Sequence, residues 1–128
     1  MVFKIINATE AKVGTNIIVD GVACMVKKMD VSKTGKHGHA KVRIEAVGIL
    51  DDKKKVFVIP GHDRLEVPLI EKKKAQVLSK GDKISVMDLE SFETIEVDCP
   101  EELRNEIEEN ANVEYWDVMG TKVIKRTL

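Results

Sequence analysis

The sequence predicts a mainly β protein of two small modules, and three observations lead to that prediction. Hydrophobic residues make up 43% of the 128 residues but aromatic residues only 4%, so the core must consist of Val, Ile, Leu and Met. This β-branched bias favours strands over helices. Short apolar runs alternate with turn residues, and a single segment has the features of a helix. Pro68 marks the predicted boundary between the modules, which are residues 1–68 and 69–128.

The first module is predicted to form a small antiparallel barrel of five strands, with no strand in roughly the first fifteen residues. The dipeptide Asp20-Gly21 suits the positive φ angles of a tight hairpin turn. Further along, Val42, Ile44 and Ala46 recur with a period of two, which is typical of a strand with one buried face. The predicted strands are residues 16–19, 22–29, 39–46, 56–59 and 65–67.

The second module has the element order of a five-stranded OB-fold, which is three strands, a helix and two strands. Pro100 suits the first helical position, and two glutamates follow it at the positive end of the helix dipole. Leu103 and Ile107 are four residues apart and should face the core, and the helix should end at residues 110–112. The predicted strands are residues 75–79, 83–88, 94–97, 113–119 and 122–127.

Charge is divided unevenly between the modules. Residues 1–68 contain 12 Lys and Arg against 8 Asp and Glu, a net charge of +4, and all three histidines. Residues 69–128 contain 9 against 14, a net charge of −5, so the chain as a whole carries −1. This asymmetry predicts that the first module faces an anionic partner.

The sequence also indicates a cytoplasmic protein. The amino terminus lacks the long apolar segment of a signal peptide, and no apolar run approaches the roughly 20 residues that span a bilayer. Cys24 and Cys99 lie far apart in apolar, strand-like segments. We therefore expect two buried thiols in a reducing compartment rather than a disulfide.

The most unusual segment is residues 32–41, Ser-Lys-Thr-Gly-Lys-His-Gly-His-Ala-Lys. No acidic residue occurs between positions 31 and 44, whereas Lys33, Lys36, Lys41 and Arg43 are cationic, so the segment suits phosphate. Glycines at positions 35 and 38 bracket Lys36 and allow backbone angles that other residues resist. The loop also exceeds the usual hairpin connection of about 2–5 residues. We therefore expect a hairpin loop with Lys36 projecting from its tip.

Several kinds of chemistry compete for this loop. A phosphate-binding Walker A loop is excluded, because Asp30 stands where it needs glycine and His37 where it needs Ser or Thr. His37 and His39 form a lone His-x-His with neither cysteine nearby, so no metal site is predicted. The same histidines could cleave RNA as an acid–base pair, with Lys36 stabilising the developing charge. A general RNA-binding loop and a merely solvated one also remain open.

Residues 32–41 resemble the signature loop of translation initiation factor 5A, the hypusine-containing family of archaea and eukaryotes. The resemblance extends over essentially the whole chain, and the loop motif is its specific part. It implies an SH3-like barrel followed, near Pro68, by an OB-fold. It further implies that deoxyhypusine synthase attaches an aminobutyl group from spermidine to Lys36. The residues expected to contact RNA are Lys33, Thr34, Gly35, His37, Gly38, His39, Lys41 and Arg43.

The function implied by this resemblance is that of a non-enzymatic translation factor with no bound cofactor. Such a factor binds the ribosome, reaches the acceptor end of the P-site transfer RNA, and promotes peptide-bond formation where synthesis stalls, as in proline-rich runs, with a further role in initiation. The short segment before the first predicted strand indicates an archaeal-type member, and we expect a monomer. The bacterial counterpart, elongation factor P, resembles this sequence in its first two domains, and we expect no equivalent of its third domain here.

Overall fold

The computed structural model describes residues 2–33 and 40–128, which form two compact units, Met1–Leu69 and Ile70–Leu128. Nearly all regular structure in both units is antiparallel β-strand, which confirms the predicted mainly β fold. None of the helices in these two described stretches is long and apolar enough to span a membrane.

The described residues of the first unit, 2–33 and 40–69, form six strands, one more than predicted. A sheet of four strands has the order β2-β3-β4-β5, and β1 pairs separately with β6. A turn of 3-10 helix, Ala8–Glu10, follows β1. The strands are β1 (Val2–Asn7), β2 (Asn16–Val19), β3 (Val22–Lys33), β4 (Ala40–Gly48), β5 (Lys54–Pro60) and β6 (Arg64–Pro68).

Two sequence features of this unit are confirmed. Asp20 and Gly21 both have positive φ angles, 51° and 78°, and join β2 to β3 as a tight hairpin turn. Val42, Ile44 and Ala46 of β4 are fully buried in the core, as their period of two predicts.

The prediction that no strand precedes residue 16 was wrong. β1 pairs with β6 from the Val2–Pro68 pair to the Asn7–Arg64 pair. Within β1 only Ile6 is buried, whereas Val2, Phe3 and Ile5 are exposed. The backbone pairing with β6, and not a buried apolar face, therefore defines this strand, and an apolar pattern could not reveal it.

The second unit is a five-stranded barrel with the strand order β11-β10-β7-β8-β9. A parallel bridge between Asp98 and Val123 joins the end of β9 to β11, so the two outer strands of that order meet. Contact between β9 and β11 closes the barrel, as an OB-fold requires. The strands are β7 (Ile70–Lys80), β8 (Ile84–Asp88), β9 (Thr94–Val97), β10 (Asn112–Val118) and β11 (Thr121–Thr127).

The predicted helix is present but much shorter than expected. Helix α1 spans Glu101–Arg104, a single turn, and Pro100 is its N-cap rather than its first residue. Ile107 is fully buried as predicted, although it lies beyond the helix. The helix cannot continue to residue 110, because the backbone N–H of Asn110 donates to the carbonyl of Val77 on β7 at 2.8 Å.

Candidate functional site

The predicted site lies at the end of the β3–β4 hairpin, where residues 34–39 join the two strands. Three predicted contact residues, Lys33, Lys41 and Arg43, lie on the strands and are exposed. The other six predicted residues lie outside the described residues; they are Thr34, Gly35, Lys36, His37, Gly38 and His39.

The hairpin is paired up to the last described residue of each strand. Lys33 lies directly opposite Ala40, and Ser32 lies opposite Lys41. Because directly opposite residues share a face of an antiparallel pair, Lys33 is on one face and Lys41 on the other. The two ammonium groups therefore flank the end of the hairpin from opposite sides.

Strand β4 fixes this end of the hairpin to the core of the first unit. Val42 is fully buried two residues after the start of β4, and it pairs with Ile59 of β5 on one side and Val31 of β3 on the other. By contrast, β3 is mostly exposed from Lys27 onward, beyond an irregularity in its pairing near Val26. The buried side chains of β4 thus hold the position from which the loop departs.

A turn at residues 60–63 buttresses the same end of the hairpin. Gly61 is buried, and its backbone N–H donates to the Ala40 carbonyl at 2.8 Å, while its own carbonyl accepts from the Thr9 N–H at 3.4 Å. A Cβ at position 61 would lie 3.2 Å from the Ala40 Cβ and 2.9 Å from the Thr9 methyl group. Only glycine fits here without displacing a neighbour. From the sequence, Pro60-Gly61 predicts only the end of a strand. Sequence reasoning missed that Gly61 holds the Ala40 end of the hairpin in position.

The electrostatic surroundings distinguish Arg43 from the two lysines. Arg43 Nη1 lies 3.3 Å from Glu45 Oε2, and Lys54 Nζ lies 2.9 Å from Glu45 Oε1. The hydrogen bond from Lys54, and then the one from Arg43, lower the pKa of Glu45, which keeps it ionised. Asp30 also lies directly opposite Arg43 on β3. Acidic neighbours therefore offset the charge of Arg43. Lys33 and Lys41 lie nearer the loop than Asp30 does, and the residues directly opposite them, Ala40 and Ser32, are uncharged.

The remaining candidate ligands do not assemble into a site. Within residues 2–33 and 40–128, no group of three or more His, Cys, Asp or Glu side chains could hold a metal ion. Cys24 is buried as predicted, whereas Cys99 is only half-buried; both are free thiols in different units, and burial raises the pKa of both. His62 lies in the turn beside Gly61, and His37 and His39 are outside the described residues.

A family model described as translation initiation factor 5A-like, N-terminal, matches residues 4–62. That range contains the β3–β4 hairpin, the six intervening residues and Gly61.

Whole proteins match over both units. A translation initiation factor 5A from Metallosphaera sedula is 48% identical over 120 residues, which are 91% of this chain and 92% of that protein. One from Methanococcus vannielii is 47% identical over 93% of this chain and 91% of that protein. The solved structure of eukaryotic translation initiation factor 5A from Methanococcus jannaschii has a TM-score of 0.87 and 40% identity, covering 98% of this chain and 94% of that one. A family protein from Naegleria fowleri has the same TM-score at 27% identity and 99% coverage of both chains.

Proposed function

Since the chain belongs to the translation initiation factor 5A family, we propose that it is a ribosome-bound factor whose working group is a modified Lys36. Its relatives are named for translation, which supports a role in that process and not a catalysed reaction of its own. We propose that it promotes peptide-bond formation at stalled sites such as proline-rich runs, and that it also serves initiation. We further propose that the protein acts in the cytoplasm and that it is a monomer.

The observation that carries this proposal is a specific loop sequence held on a rigid base. The motif Gly35-Lys36-His37-Gly38-His39 connects two strands that are paired up to Lys33 and Ala40. Val42 is buried in the core of the first unit two residues after Ala40, so the β4 end of the loop is fixed relative to that core. A side chain that must reach into an RNA channel needs such a fixed starting point.

Modification of Lys36 suits this role for a physical reason. An aminobutyl group from spermidine, transferred by deoxyhypusine synthase, lengthens the side chain and adds a second cationic nitrogen. The longer arm can place charge against the acceptor end of the P-site transfer RNA. Lys33 and Lys41 then hold the two sides of the hairpin on ribosomal RNA phosphates, which position the protein without reading sequence. We propose a smaller share for Arg43, because Glu45 is within 3.3 Å of its guanidinium.

The modification is tested by peptide mass spectrometry of the protein isolated from its own cells. We expect the peptide that contains Lys36 to carry the added mass of one aminobutyl group, or of its hydroxylated form. Peptides containing Lys33 and Lys41 serve as internal controls and should be unmodified. An unmodified Lys36 in cells that contain the synthase would rule out this part of the proposal.

The functional role is tested with Lys36→Arg, which keeps a positive charge but lacks the primary amine that accepts the aminobutyl group. In a reconstituted translation assay with a proline-rich reporter, this variant should lose the stimulation that the modified protein gives. The matched control is Lys33→Arg, the same substitution on the paired end of β3, which should retain most of the activity. Equal activity of the modified protein and Lys36→Arg would contradict a special role for Lys36.

The alternative function is a general RNA-binding module without a modified lysine, and the exposed Lys33 and Lys41 support it. It predicts that affinity falls similarly whichever loop lysine is removed, with the salt dependence decreasing by about 0.7–0.9 per lost phosphate contact. The hypothesis of a ribonuclease that uses His37 and His39 predicts RNA cleavage with a bell-shaped pH profile. It also predicts that His37→Ala abolishes the cleavage.

A further inference from the structure

Trp116, the single tryptophan of the chain, lies partly exposed on β10 between cationic side chains from both neighbouring strands. Lys72 Nζ of β7 is 4.5 Å from the centre of its ring, and Lys125 Nζ of β11 is 5.2 Å away. The indole N–H donates to Glu114 Oε1 at 2.8 Å, which fixes the orientation of the ring. Aromatic side chains set among cationic ones are a recurring element of surfaces that bind single-stranded nucleic acid, because the bases stack on the rings.

A second row of charges lies beside this one on the same three strands. Glu114 is directly opposite Lys74 of β7 and Arg126 of β11. Arg126 Nη2 is 2.9 Å from Glu114 Oε2, and the hydrogen bonds from the indole and then from Arg126 lower the pKa of Glu114. We call the two rows together the Trp116 patch, which consists of Lys72, Lys74, Glu114, Trp116, Lys125 and Arg126.

The charge of the Trp116 patch is opposite to that of its unit. Residues 70–128 contain 9 Lys and Arg and 14 Asp and Glu, yet the patch holds four of those cations and one of those acids. The one acid, Glu114, is engaged with the indole N–H and with Arg126. The patch is therefore a local positive surface on an acidic unit, and nearby charges dominate at physiological salt.

The surface that OB-folds commonly use for nucleic acid is different here. That surface is the outer face of the second and third strands, which correspond to β8 and β9. Its cross-strand pairs are Ser85 with Glu96 and Met87 with Thr94, which include one acid and no cation. A nucleic-acid contact by this unit would therefore be made on the β7–β10–β11 side.

An open cleft of about 400 Å³ adjoins the Trp116 patch and has room for part of a polynucleotide. Its walls are lined by Leu89 and Glu90 and by the lysines at positions 72, 73 and 74. The backbone N–H of Leu89 donates to the Lys74 carbonyl at 3.0 Å, which fixes this wall to β7. A chain of nucleotides could thus continue from the indole along the lysines of β7.

We propose that the Trp116 patch binds single-stranded RNA, with phosphates on Lys72, Lys74 and Lys125 and one base stacked on the indole of Trp116. The lysines that lie over the ring leave it for the phosphates, and the base takes their place on its face. This site is separate from the β3–β4 hairpin and stands independently of the function proposed for Lys36.

The test uses the fluorescence of Trp116, which reports on this site alone because the chain has no other tryptophan. The full-length protein is titrated with an oligouridylate of about twelve nucleotides, a length within the range that OB-folds bind. We expect saturable quenching of the emission and a binding curve that matches the anisotropy of the labelled RNA. Binding without any change in the emission would overturn the stacking contact.

Removal of two patch lysines, in Lys72→Ala/Lys125→Ala, should weaken binding by about tenfold or more at roughly 50 mM salt and reduce the salt slope by about 1.4. The matched control is Lys80→Ala/Lys83→Ala, which removes the same charge from exposed positions at the end of β7 and in the β7–β8 turn and should change the affinity by less than about threefold. Circular dichroism establishes that both variants are folded. Equal losses in the two variants would refute a specific patch.

Two further measurements distinguish the Trp116 patch from the hairpin and from a general anion site. In Lys33→Ala/Lys41→Ala the hairpin cations are lost, but quenching of Trp116 by RNA should persist, whereas its disappearance would mean that RNA reaches the ring only through the hairpin. A polyglutamate peptide of the same charge should quench at least about tenfold more weakly, because it has no base to stack. Equal quenching by the peptide would show a general anion site and would overturn the assignment to RNA.

Discussion

Acid should destabilise residues 70–128 through one buried carboxylate, Asp88, which is 3% exposed at the end of β8. Its Oδ1 accepts the backbone N–H groups of Glu90 at 2.8 Å and Ser91 at 2.9 Å, and its Oδ2 accepts the hydroxyl of Tyr115. The Tyr115 hydrogen bond, followed by the Ser91 one, lowers the pKa of Asp88 from 3.8 to about 2. These bonds join the β8–β9 turn to the barrel interior.

The sign and size of the effect follow from that pKa. Because the folded pKa lies below the unfolded one, the stabilisation is fully present above about pH 5 and is lost as the pH falls toward 2. A decrease from 3.8 to about 2 corresponds to about 2.5 kcal/mol of unfolding free energy, at about 1.4 kcal/mol for each tenfold change in the proton-binding constant. Asp88→Asn should therefore be less stable than wild type by about 2 kcal/mol at neutral pH.

The assay is urea unfolding followed by Trp116 fluorescence, which reports on the unit that contains Asp88. We expect the difference between wild type and Asp88→Asn to be constant from pH 7 to about 5 and to shrink toward zero near pH 2. Asp82→Asn is the matched control, since Asp82 is exposed in the β7–β8 turn and should show a much smaller difference. Parallel stability curves for wild type and Asp88→Asn down to pH 2.5 would refute the reasoning.

Three further predictions concern single side chains. Burial and then the Asp88 hydrogen bond raise the pKa of Tyr115, the single tyrosine. Its phenolate absorbance should therefore be absent from the folded protein at about pH 10–11, and the unfolding free energy should fall as the pH rises above about 10. A normal titration of the folded protein near pH 10 would contradict this. Gly61→Ala should lower the unfolding free energy by about 1–3 kcal/mol and shift amide resonances at the hairpin base, because its Cβ would lie 2.9 Å from a threonine methyl group. The control is Gly81→Ala, whose Cβ would have its nearest neighbour at 3.5 Å and which should have neither effect. Equal effects of the two substitutions would count against the packing argument. Val42→Ala should lower the free energy of unfolding, measured by thermal denaturation, by about 2 kcal/mol. Val31→Ala, directly opposite and 49% exposed, should lower it by less than about 1 kcal/mol. The reverse order would show that Val42 does not fix the end of the hairpin to the core.

Much of the fold could be predicted because burial follows period and turn chemistry follows residue type. The alternation of Val42, Ile44 and Ala46 located β4, and Asp20-Gly21 located a turn with two positive φ angles. β1 could not be found in this way, because three of its four apolar residues are exposed and backbone pairing with β6 defines it. The helix was predicted too long, because the bond between Asn110 and Val77 on β7 is a tertiary contact that local propensity does not contain.

The candidate site shows the same limit at the level of charge. The run between positions 31 and 44 has no acid in sequence, but strand pairing brings Asp30 opposite Arg43, and Glu45 lies within 3.3 Å of the Arg43 guanidinium. The register of the pairs depends on an irregularity near Val26, which the sequence does not signal. Gly61 was missed for a related reason, because its contact with Ala40 joins residues 21 positions apart.

Net charge per module was therefore an incomplete guide to where anions bind. A value of −5 for residues 69–128 describes the field far from the unit, whereas a bound phosphate responds to charges within a Debye length of about 8–10 Å. On the strand face that carries Trp116, the patch presents four cations and one engaged acid. Because the acidic residues outside the patch slow the approach of RNA, while the patch holds RNA once it is bound, the patch should favour contacts made after another part of the chain has already docked.

Neutralising acids away from the patch, for example with Glu108→Gln and Glu109→Gln, should then raise the association rate of RNA and leave the dissociation rate nearly unchanged in stopped-flow measurements of Trp116 emission. A change confined to the dissociation rate would show instead that those glutamates lie within contact range of the bound RNA.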